Sequence, residues 1–119
     1  MAITKLAGAG RQMGYTTCTI ADEGTTSGAA DIEGYGITGL LIPTIDSANL
    51  TFTVSNLLAG TYYTVKDMDG TTFTITAGTG NFAVGSDDLS PLFGYRFIKI
   101  VSSATQSTAA VTFTFTLKG

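Results

Sequence analysis

AAVTFTFTLKG, residues 109–119, alternates without a break: Val111, Phe113, Phe115 and Leu117 fall on one face, Thr112, Thr114 and Thr116 on the other. A period of two is the signature of a strand with one face in a core and the other toward solvent. Threonine suits the solvated face because its branched Cβ fits a pleated surface. The same grammar recurs upstream. In NLTFTVSN, residues 49–56, Leu50, Phe52 and Val54 point inward while Thr51, Thr53 and Ser55 point outward. In GYTTCTIA, residues 14–21, Thr16, Cys18 and Ile20 share a face. Threonine accounts for 22 of the 119 residues, which favours strands throughout.

Between these segments the chain offers further strands: 35–42 (YGITGLLI, ended by Pro43), 61–67 (TYYTVKD), 71–77 (TTFTITA, with Phe73 and Ile75 inward), 81–85 (NFAVG) and 94–102 (GYRFIKIVS). Asp67-Met68-Asp69-Gly70 lies between two of them and ends in the Asp-Gly pair of a tight hairpin. Residues 22–30 and the stretch ATQST read as loops. SDDLSPLF reads as an irregular connection with one helical turn capped by Ser86 or Asp87. No helical periodicity lasts longer than a turn, and no repeat of 20–50 residues occurs. The expected fold is all-β: an antiparallel β-sandwich, a jelly roll of about eight strands over residues 13–119. Residues 1–12 are expected to form a flexible N-terminal arm, because they offer little surface to bury against the loss of chain freedom.

Charge is sparse: 13% of residues against a usual ~25%. The net charge is −3, and the six cations (Lys5, Arg11, Lys66, Arg96, Lys99, Lys118) are scattered. Nucleic-acid binding calls for a basic stripe, and anionic membranes for a basic cluster, so neither partner is expected. No run approaches the ~18 apolar residues of a membrane-spanning helix. Neither is there a signal-peptide pattern, so the expected place of assembly is a cytoplasm. The single cysteine, Cys18, is expected to be a small buried side chain rather than a reactive thiol.

Histidine is absent. That removes the usual general base, the partner that activates a serine or cysteine nucleophile, and the commonest metal ligand. No two of the nine acidic residues are marked as a catalytic pair. No enzymatic activity and no cofactor are expected. Asp67-x-Asp69-Gly70 resembles the front of a calcium-binding loop but lacks the later ligands, so a turn is the expected reading. Asp87-Asp88 reads as a solvated loop pair, with calcium as the alternative. Tyr62 and Tyr63 are neighbours on a strand, so one faces out, where it can serve as an interface anchor or a sugar-stacking platform. Tyr35 and Tyr95, each beside a glycine, are expected to be structural.

From residue 31 onward the order of motifs resembles a domain of tailed-bacteriophage virions. DIEGYGITGLLIPTIDSANLTFTVS matches its Gly-Tyr-Gly strand, aliphatic run, proline and "LTFxxS" strand. TYYTVKDMDGT, residues 61–71, resembles its "YYxxxDxDGT" hairpin. GYRFIKI, residues 94–100, resembles its "GxRxIKI" strand, and AVTFTFTLKG its threonine-rich closing strand. The resemblance covers about three quarters of the chain. It implies a galactose-binding-like jelly roll acting as a virion structural protein, a capsid decoration or cement protein seated on the major capsid protein lattice. The implied location is the capsid surface, after assembly in the host cytoplasm. The family often carries a tryptophan after the proline, where this chain has Pro43-Thr44-Ile45-Asp46, so a stacking aromatic is missing there. Lys5, Arg11 and Gln12 on the arm, Glu23 and Thr25 in the 22–31 loop, and Tyr62 and Tyr63 are the candidate interface residues. A homo-oligomer, a trimer first, is expected at local symmetry axes. The rival expectations are a carbohydrate-binding module or a connector component of a phage tail or baseplate.

Overall fold

The computed structural model describes residues 3–6 and 13–119. Its strands are β1 (Thr4–Leu6), β2 (Met13–Ile20), β3 (Gly24–Thr26), β4 (Ala30–Asp31), β5 (Gly36–Ile42), β6 (Ala48–Ser55), β7 (Tyr63–Thr64), β8 (Ile75–Ala77), β9 (Phe82–Gly85), β10 (Phe97–Gln106) and β11 (Val111–Lys118). Among the described residues, helical structure is confined to α1 (Ser86–Leu89) and a 3-10 turn, Ser90–Leu92. One sheet has the order β1-β2-β11-β5-β9 and the other β3-β10-β6-β7, with β4 also on β10 and β8 also on β6. Every pairing is antiparallel. The fold is an all-β sandwich.

The core lies where the alternation puts it. Cys18, Ile20, Leu40, Ile42, Phe113, Phe115 and Leu117 from one sheet face Leu50, Phe52, Val54, Ile98 and Ile100 from the other, all buried. Threonine fills the outward positions of β11 and β2, and Thr19 and Thr112 join their hydroxyls at 2.9 Å across the two strands. Leu89 and Leu92, on the helical connection, are fully buried and belong to the same core cluster. Phe73 stands partly buried with its ring 5.2 Å from that of Phe52.

All eight expected strands are present, and the structure adds three short ones. β1 pairs with β2, Lys5 opposite Gly14, and Ile3 packs against the core. Residues 3–6 are therefore part of the sandwich rather than a free arm; the rest of the expected arm, residues 1–2 and 7–12, lies outside the described residues. Gly14 permits this pairing, because a Cβ there would collide with the carbonyl oxygen of Thr4. The expected loop 22–30 contains β3 and the first residue of β4, which pair along β10 through main-chain bonds that need no side-chain pattern. β10 itself runs on to Gln106, through residues expected to be loop.

Turn chemistry follows the residue types. The Asp67 carboxylate accepts from the N–H groups of Asp69 and Thr71, both at 2.9 Å, and Gly70 takes φ = 83°. Asp67 is thus occupied as a turn former, a role its short side chain favours. At α1 the expected cap differs: Gly85 occupies the N-cap and makes no side-chain bond, leaving Ser86 and Asp87 inside the turn.

Candidate functional site

The Asn56–Gly60 turn joins β6 to the segment leading into β7. It is tied down by its own polar groups. Ser55 Oγ accepts from Leu57 N–H at 3.1 Å and donates to Leu57 C=O at 2.7 Å. Gly60 N–H donates to Leu57 C=O at 3.1 Å, and the Tyr62 hydroxyl donates to Leu58 C=O at 2.9 Å. Leu57 remains 71% and Leu58 60% exposed. Leaving a leucine in water forgoes roughly 1.5–3 kcal/mol relative to burial, and this turn leaves two there.

The same turn walls a groove of about 670 Å³, closed on other sides by Tyr63, Lys66, Pro91 and Tyr95. Tyr63 is 68% exposed, and its phenol is free to receive a partner. Tyr95, expected to be core or structural, is 40% exposed and so lies outside the core. Tyr35 does pack partly buried against the core. Tyr62 is engaged: the Lys99 ammonium sits 4.2 Å from its ring centroid, an arrangement that occupies the ring face. Of the tyrosine pair, Tyr63 is the free one. The lining carries one charged residue, Lys66, and no carboxylate. Its apolar and aromatic surface is interleaved with the neutral polar groups of Ser55, Asn56, Thr61 and Thr64.

The other candidate residues do not converge on this groove. Glu23 and Thr25 lie at β3, at the opposite edge of the same sheet from β7. Glu23 adopts φ = 67° and donates its N–H to Gln106 C=O at 2.8 Å, so its backbone serves the fold. Lys5 lies on β1, in the other sheet. Arg11 and Gln12 lie outside the described residues. Leu57 and Pro91 were not among the residues singled out from the sequence, and Tyr95 was read there as structural. The signal that could have found them is Leu57-Leu58 itself, two large apolar residues inside a turn.

Elsewhere an ion pair serves structure. Arg96 Nε and Nη2 donate to the two oxygens of Asp31 at 3.0 and 3.1 Å, tying the entry of β10 to β4. Those bonds hold the Asp31 carboxyl below the usual carboxylate range, with the Glu33 N–H adding to them and partial burial opposing. Burial pushes the Cys18 thiol up to about 12, against a weaker opposing hydrogen bond with Ser27. Among the described residues, no three acidic or cysteine side chains gather as metal ligands would. No family model, curated protein or solved structure matches this chain.

Proposed function

We propose that this chain is a docking module of a tailed-bacteriophage virion: a capsid decoration (cement) protein that binds the major capsid protein lattice as a homo-oligomer and reinforces the head. The observation that carries the docking role is the exposed apolar surface of Leu57, Tyr63 and Tyr95 lining the groove, with Leu58 exposed on the same turn. The assignment to a virion rests on the resemblance of residues 31–119. The strand order supports the jelly-roll reading: β2-β11-β5-β9 in one sheet faces β4-β10-β6-β8 in the other, and in chain order every step among these eight except β6 to β8 crosses between sheets. A rigid sandwich with pre-formed contacts binds with little further ordering, which suits a protein that clamps a lattice. With no histidine in the chain, binding rather than catalysis is the role its chemistry favours.

Co-sedimentation with empty capsids tests the proposal. The wild-type chain is expected to saturate the lattice, and L57D and Y63D to lose at least ~30-fold in affinity while keeping the wild-type melting temperature. Undiminished binding of both variants would remove the groove from the account. The exposed phenol of Tyr63 beside Asn56 also favours a second reading, a carbohydrate-binding module. A glycan array separates the two, since sugar binding abolished by Y63A, without capsid binding, supports only the second.

A further inference from the structure

The outer face of the first sheet carries a second contact surface. Register places Thr17, Thr114, Leu41 and Ala83 in one row across β2, β11, β5 and β9, and Tyr15, Thr116 and Gly39 in the next. Gly39 keeps the second row low, because a Cβ there would sit 2.9 Å from Thr116 Oγ1. The only charged side chain among the described residues of these rows and their ends is Lys118, at a corner. A patch of about a dozen residues on an ordinary soluble surface, ~25–35% charged, would hold about three. Leu41 is 45% exposed on β5, one strand in from the edge of this face. Two shallow hollows flank it, of about 390 Å³ beside Phe82 and Thr112 and about 320 Å³ beside Met13 and Tyr15, and Leu41 lines both.

We infer that this face is where a second copy of the chain docks, sheet against sheet about a two-fold axis. A knob flanked by hollows is self-complementary under such an axis: Leu41 of each copy enters a hollow of the other, as an isologous contact requires. The area fits a weak pairing. Strands of 3, 8, 8, 7 and 4 residues, ~4.8 Å apart at ~3.3 Å per residue, give a face of roughly 480 Å². Two such faces bury roughly 950 Å², the size of a transient contact. Neutral threonines bring little desolvation penalty to such a contact, and face-to-face stacking of sheets ~10 Å apart is an ordinary packing mode. Pairing of this kind closes at two copies, so the dimer is the unit. The surface is distinct from the groove and does not depend on what the groove binds.

Sedimentation equilibrium of the full chain tests this. The wild type is expected to dimerise at micromolar concentration. L41K and T114K, each placing a charge on the face, are expected to weaken the dimer by more than ~30-fold at an unchanged melting temperature. T53K, on the outer face of the other sheet, is expected to leave it intact. As a second readout, L41C is expected to form a disulfide-linked dimer on oxidation, because Cys18 is buried and silent. A wild-type chain that stays monomeric at about 100 μM would overturn the inference, since that excludes a Kd in the micromolar range. So would a dimer that survives both lysine variants, or one lost only on substitution at Leu57 or Tyr63.

Discussion

Gln106 and Asp46 clamp each other across the end of the sandwich. The Gln106 side-chain amide accepts from Asp46 N–H at 2.8 Å and donates to Asp46 C=O at 3.0 Å, standing in for a strand partner. In return, the Asp46 carboxylate accepts from the Thr108 hydroxyl at 2.6 Å and from the N–H groups of Ser107 and Thr108 at 2.8 and 3.1 Å. The pair fastens the connection between β5 and β6 to the turn between β10 and β11. Gln106 is almost fully buried, and its Nε2 also donates to Ser102 Oγ at 3.0 Å, so the amide is well satisfied.

Replacing Gln106 by leucine keeps the volume and removes the partners. The main-chain groups of Asp46 and the hydroxyl of Ser102 then lose bonds that water reaches poorly. Chemical denaturation of Q106L is expected to show a loss of about 2–4 kcal/mol. A loss under about 0.5 kcal/mol would mean that the clamp is replaceable by solvent.

Thr16 presents the opposite case. It is 2% exposed, and its hydroxyl has no hydrogen-bond partner among the described residues. T16V has the same shape without the orphaned donor, so it is expected to stabilise the fold by about 1 kcal/mol. A destabilised T16V would show that the hydroxyl is bonded in solution.

Acid stability follows from Asp31 and Asp46. Both carboxyls are held below their ordinary values, Asp31 by the bonds from Arg96 and Asp46 by the Thr108 hydroxyl and neighbouring N–H groups. A depressed folded-state pKa gives stability that is complete above the unfolded value of ~3.9 and lost as pH falls through the folded one. Thermal melting is therefore expected to weaken on going from neutral pH to strongly acidic conditions. D31N is expected to melt below the wild type at neutral pH and to converge with it in strong acid. A gap independent of pH would rule out the ionised Asp31–Arg96 pair as its source.

Cys18 reports global opening. It is fully buried, and its raised pKa leaves almost no thiolate near neutrality. Alkylation of the native protein at mildly alkaline pH is expected to run at least ~1000-fold slower than in denaturant, because it must pass through unfolding. Rapid native labelling would contradict the packing around β2.

The parts of this fold that were legible in the sequence are those with a strict period of two. Phe113, Phe115, Leu50 and Phe52 announce their faces because every intervening residue is polar. β3 and β4 escaped notice because two or three residues cannot display a period, and Ser27 between them substitutes a side-chain oxygen for a strand bond, accepting from Ile100 N–H at 2.9 Å. The end of β10 escaped because buried Gln106 is polar and its burial depends on Asp46, 60 positions away. For the site, Tyr63 was legible as one of a pair, but only the contact of Lys99 with Tyr62 decides which ring is free. Pro91 and Tyr95 join the groove through a helical connection whose path no local pattern encodes.

Occupancy on particles bears most directly on the docking role. Quantitative mass spectrometry of purified particles, counting this chain against the major capsid protein, is expected to find the two in comparable numbers. It is also expected to find the chain stripped from particles made with L57D. A count of only a ring's worth of copies per particle would place the chain in a connector or tail, and absence from particles would contradict the decoration reading altogether.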